Sequence, residues 1–71
     1  MHRSIEIILG RLLTDEEFRR AFRLNARATL EWAGVWGLAL TPGEIRALLA
    51  TDQSLWDRAA GELDSRLKKA A

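Results

Sequence analysis

With 71 residues, 11 basic and 10 acidic side chains, a formal charge of +1 and 48% hydrophobic content, the chain has room for a single domain, 1–71, and no strong field to draw it to nucleic acid or membrane. Zero cysteines and one histidine, His2, exclude disulfides and a Cys/His zinc site, so no metal or other cofactor is expected. A domain this small buries only about 60% of the surface its unfolded chain exposes, and with no covalent or metal staple a partner surface is its remaining source of stability.

In chain order, Ser4 is placed to cap a first helix running to about residue 13, with Ile5, Ile8, Leu9 and Leu12 at helical spacing on one face. The same run is too short and too polar for a secretory signal, because Glu6, Gly10 and Arg11 interrupt it and no small-residue cleavage site follows. No other run approaches the roughly 20 apolar residues of a membrane span, and a cytoplasmic protein is expected. Gly10 costs that helix about 1 kcal/mol relative to alanine. It serves either a close approach by another helix or nothing, as a tolerated residue on the exposed side.

Thr14 with Asp15, Glu16 and Glu17 reads as a capping box that opens a second helix, its acids at the positive end of the helix dipole. Phe18, Ala21 and Phe22 form the inner face, and Arg19, Arg20 and Arg23 lie outside, with Arg27 extending the row by a turn. A break or kink is expected near Asn25, which can cap a third helix over about 26–33. Gly34 is placed to end that helix in the left-handed conformation. The connector 35–40 then packs on the core; a strand over 36–40 has no partner, and Gly37 weakens it.

The clearest signal in the chain is Thr41-Pro42-Gly43-Glu44. Thr41 is the N-cap, Pro42 suits the first helical position, and Glu44 completes a capping box, so a helix runs from Pro42 to about Ala50 with Ile45, Leu48 and Leu49 inward. Thr51 or Asp52 caps the last helix, whose stripe is Trp56, Ala59, Ala60, Leu63 and Leu67, with Lys68 and Lys69 at its negative end. The fold expected is all-α, a compact bundle of four to five short helices.

Catalytic constellations are not found. The acids 15–17 are what a helix N-terminus selects, and Asp57, Glu62 and Asp64 alternate with Arg58, Arg66 and Lys68 as solvated partners. Ser4, Ser54 and Ser65 sit at caps or on exposed faces, which leaves His2 as the single side chain able to serve as a base near neutrality. The row Arg19, Arg20, Arg23 and Arg27 is the one local cluster that suggests phosphate contacts, but only Asn25 lies near it as a base reader. A weak nucleic-acid module is therefore a minor alternative.

The tryptophans carry the functional argument. Three in 71 residues exceed what a tiny core easily encloses, and tryptophan is enriched at binding hot spots. Trp56 belongs to its helix stripe, whereas Trp32 and Trp36 flank Gly34, where they either both lid the core or place at least one indole in a protein interface. The sequence thus points to a noncatalytic protein-interaction module, either a homo-oligomer or an accessory subunit of an enzyme complex. Trp32, Val35, Trp36 and Leu38 are its expected anchors, and Arg19, Arg23 and Arg27 its rim charges.

The succession of Leu12-Leu13, Thr14-Asp15-Glu16-Glu17-Phe18-Arg19, Phe22 and Leu24, Leu30 before Gly34, Trp36 to Glu44, and Leu48 and Asp52 beyond resembles a group of small bacterial helical proteins. The group includes the alpha subunit of protocatechuate 4,5-dioxygenase type ring-cleavage enzymes and nitrile-hydratase-leader-like precursor proteins. The resemblance covers about 5–60 and implies a helical accessory domain without metal ligands of its own. In the dioxygenases such a subunit helps cover an iron site held by the large subunit, a lid role; in the precursors the domain is a leader offered to modifying enzymes. Asn25-Ala26 replaces the group's usual acidic residue and proline. The residues after Asp64 contain no double glycine and no Cys- or Ser/Thr-rich segment to be modified.

Overall fold

The computed structural model describes residues 3–70. Among them lie five helices: α1 (Arg3–Thr14), α2 (Glu16–Leu24), α3 (Ala26–Val35), α4 (Pro42–Ala50) and α5 (Gln53–Ala70). No strand is present among the described residues, and the connector 36–41 is irregular. The expected all-α bundle is therefore the fold. His2 lies outside the described residues.

The core forms where the inner faces of four helices converge. Ile5, Ile8 and Leu12 of α1 meet Phe18 and Phe22 of α2, Leu30 and Ala33 of α3, and Leu48 of α4, with Phe22, Ile8 and Leu12 fully buried. Leu9, Leu38, Leu40, Ile45, Leu49 and Trp56 pack around this centre. Helix α1 lies against α2 and α5, α2 packs also on α3 and more lightly on α5, and α3 packs on α4. The indole N–H of Trp56 is buried without an acceptor among the described residues, a desolvation cost of about 1–3 kcal/mol.

Several boundaries differ from the sequence expectations, each for a local reason. Ser4 lies inside α1 and does not cap it. The cap of α2 is Asp15, whose Oδ1 accepts the Phe18 N–H at 3.1 Å. Thr14 is instead the last residue of α1, and its hydroxyl donates back to the Gly10 carbonyl at 2.7 Å within that helix. Ala21 is exposed and not part of the inner face. Asn25 does break the helix: its backbone N–H donates to the Ala21 carbonyl, ending α2, and its side chain accepts from the Ala28 N–H, opening α3.

The end of α3 sets the position of both exposed tryptophans. Gly34 is helical, and the helix continues to Val35, with Gly37 the residue at positive φ, 92°. The Leu38 N–H donates to the Ala33 carbonyl and the Gly37 N–H to the Gly34 carbonyl, both near 3 Å. These two bonds form a Schellman motif with glycine at its left-handed position. Leu38, the apolar residue after that glycine, turns back toward Ala33, and the two line one depression. This hydrophobic return selects Gly37 over Gly34 as the helix terminator.

Beyond the connector, Thr41 and Glu44 make both bonds of the capping box and Pro42 opens α4, as the sequence indicates. Thr51 ends α4, and Asp52 opens α5 by accepting the Ser54 N–H at 2.9 Å. Only the first half of the α5 stripe is covered. Ala60 is buried and Trp56 half-buried, whereas Leu63 and Leu67 stand at the surface.

Candidate protein interface

Extending α3 by two residues, to Val35, has a direct consequence for the surface. Trp32 and Trp36 become neighbours four residues apart, on the same side of the helix end. Their rings lie 6.0 Å apart, tilted by 58°, within the range of favourable aromatic pairs. Both remain exposed, Trp32 at 61% and Trp36 at 71%, and Val35 beside them is exposed at 82%. Leu38 is half-buried, with one side in the core and the other in the wall of the site.

Two open-sided depressions flank Trp32. One, of about 330 Å³, is lined by Arg11, Phe18, Trp32, Ala33, Trp36 and Leu38. The second, of about 410 Å³, runs between α2 and α3 and is lined by Phe18, Ala21, Asn25, Ala28, Thr29 and Trp32, with Arg11, Asp15 and Glu17 at its rim. Because Arg11, Phe18 and Trp32 belong to both, the two make one groove with the Trp32 indole as a ridge across it. Its breadth comes from Ala21 and Ala28, small residues on facing helices that leave the groove unfilled.

The structure thus brings together Trp32, Val35, Trp36 and Leu38, but it does not bring the three rim arginines to them. Arg19 turns toward α5, its side chain only 17% exposed, donating to the Leu12 carbonyl at 3.0 Å and lying 3.6 Å from Asp57. Arg23 donates to the same carboxylate at 2.6 Å. These two cations clasp α2 to α5 through Asp57. Arg27, on the first turn of α3, is exposed and has no ion pair among the described residues.

The arginine at the edge of the groove is Arg11, which reaches Asp15 at 3.5 Å. Sequence reasoning missed it because Arg11 belongs to α1 and is brought to the Trp32 groove only by the packing of that helix against α2. A solvated pair of this kind is worth at most about 1 kcal/mol, so it orients more than it binds.

The arginine row is also divided among carboxylates. Arg19 and Arg23 share Asp57, and Arg20 lies 3.6 Å from Glu16. The break at Asn25 moreover sets Arg27 on a different helix axis. Among the described residues no group of three His, Cys, Asp or Glu side chains is disposed to hold a metal ion, and no helix is long and apolar enough to cross a membrane. Comparison of the chain with family models, curated proteins and solved structures finds no match.

Proposed function

We propose that this chain is a noncatalytic helical association module, working either as a self-assembling oligomer or as an accessory subunit of an enzyme whose chemistry resides on another chain. The observation that carries the reading is the Trp32–Trp36 pair, exposed by more than half and set beside an apolar groove in a domain whose core is already filled by Phe18, Phe22 and Leu12. A tryptophan contributes up to about 250 Å² of surface, so covering the open parts of two indoles is worth several kcal/mol at about 25 cal/mol per Å². Such rigid aromatic anchors over a pocket are the usual centre of a protein interface. Val35 and Leu38 extend the contact, and Arg11 stands at its edge.

The test joins light scattering to indole emission. In an uncomplexed monomer Trp32 and Trp36 emit as wet indoles, and association shifts that emission to the blue. Trp36→Ala is expected to weaken association by at least about 2 kcal/mol, roughly 30-fold, without loss of helical content. If neither Trp36→Ala nor Trp32→Ala alters oligomeric mass or retention of a co-purifying subunit, the assignment of this face is wrong.

A further inference from the structure

Helix α5 bears a second unpartnered surface, remote in sequence from the tryptophan pair. Its apolar residues Trp56, Ala60, Leu63, Leu67 and Ala70 are spaced four, three, four and three apart, the alternation of a helix that packs along another helix. Helix α1 covers only the first part of that row. At about 1.5 Å per residue, the 18 residues of α5 span about 27 Å against about 18 Å for the 12 of α1. Every residue from 61 to 70 is exposed, Leu67 at 59%, and Leu63 and Leu67 line an open depression whose far wall is Leu13 and Thr14 at the end of α1 with Glu16 and Arg19 of α2.

The charges around this overhang are self-complementary. The segment Glu62-Leu63-Asp64-Ser65-Arg66-Leu67-Lys68 reads, outward from Ser65 in one direction, as acid, leucine, acid and, in the other, as base, leucine, base. Reversing it exchanges the signs and preserves the leucines. Within one copy Glu62 pairs with Arg66 at 3.0 Å and Asp64 with Lys68 at 3.2 Å.

We propose that α5 is a homodimerisation element in which two copies pair antiparallel about a two-fold axis level with Ser65. In that register Leu63 packs against Leu67 of the partner subunit, beyond the stretch of α5 that α1 already covers. The Glu62/Arg66 pairs of the two copies share one flank and the Asp64/Lys68 pairs the other, so each acid gains a base from the second chain. Parallel pairing instead sets acids beside acids and bases beside bases, which costs energy. The contact is isologous, so it closes at two copies. It is shorter than a standard interface of about 1,600 Å², so the dimer is dissociable, with a dissociation constant on the order of 10–100 µM.

Sedimentation equilibrium across that concentration range, with the whole chain, is the test. The wild-type mass is expected to rise from one copy to two. Leu67→Glu is expected to abolish the rise while leaving the melting curve intact, since Leu67 is already exposed. Two charge variants, Glu62→Lys with Asp64→Lys and Arg66→Glu with Lys68→Glu, are each expected to be monomeric. Mixed in equal amounts they are expected to restore a dimer at least tenfold tighter than either variant alone.

A wild-type chain that stays monomeric throughout, a dimer that survives Leu67→Glu, or a mixture that fails to associate overturns the proposal. Trp36→Ala is expected to leave this dimer in place. Loss of the dimer with Trp36→Ala and its survival with Leu67→Glu would transfer self-association to the tryptophan face, so the two surfaces are separately falsifiable.

Discussion

Gly10 occupies the interior of α1 on its exposed side, and a Cβ built there meets no atom within 4 Å outside its own turn of helix. Replacement by alanine therefore costs no packing and removes the conformational freedom that glycine gives the unfolded chain. The gain expected is about 1 kcal/mol, a rise of about 4–8 °C in Tm for a domain of this size. Gly61, in the interior of α5, is equally open. The two sites share no neighbours, so the double variant should gain about 2 kcal/mol.

Gly37 provides the opposite control. Its φ of 92° is left-handed, and although open space surrounds it, Gly37→Ala is expected to lose about 1–2 kcal/mol through backbone strain alone. Urea and thermal unfolding followed by circular dichroism, at concentrations low enough to hold the chain monomeric, measure all three. A lower midpoint for Gly10→Ala would mean that another helix approaches α1 across that glycine, and the open side of α1 would be refuted.

Two further outcomes concern the termini of the helices. Asp15→Ala is expected to cost about 1 kcal/mol and Thr14→Ala no more than about 0.5 kcal/mol in the same unfolding assay, because the carboxylate and not the hydroxyl caps α2; the reverse order would move the cap to Thr14. The Ser54 backbone N–H, aided by its hydroxyl and by Arg58, holds the Asp52 carboxyl below its ordinary value of 3.8. A carboxylate with a depressed folded pKa adds stability that is present above the unfolded value and lost as pH falls through the folded one. Asp52→Asn should therefore flatten the decline of Tm below about pH 4, and an unchanged acid profile would contradict that role.

The elements of the fold were legible wherever a local rule decides by itself. Thr41, Pro42 and Glu44 fix the start of α4 through bonds that span three residues, and Asn25 ends one helix and opens the next with its own side chain and amide. Periodicity likewise marks Ile5, Ile8, Leu12, Phe18 and Phe22 as core, because one face of a short helix has a single direction in which to bury them. The tryptophans were identifiable as too many for a small interior, and the structure leaves Trp32 and Trp36 exposed.

Tertiary structure decided the matters in which two local signals compete or in which separate helices must meet. Gly34 and Gly37 are both adequate terminators by residue type; the return of Leu38 onto Ala33 chose the second and thereby made Trp32 and Trp36 neighbours. The arginines resemble a free row on one helix, but Asp57 on α5 claims Arg19 and Arg23, and the groove acquires Arg11 from α1 instead. The α5 stripe is continuous in sequence and yet covered only as far as α1 reaches. Capping and periodicity act within a turn or two of the chain, so the residues alone determine the helices and their inner faces. Which charges neutralise one another, and which apolar surface is left without a neighbour, depends on where helices distant in sequence stop beside each other.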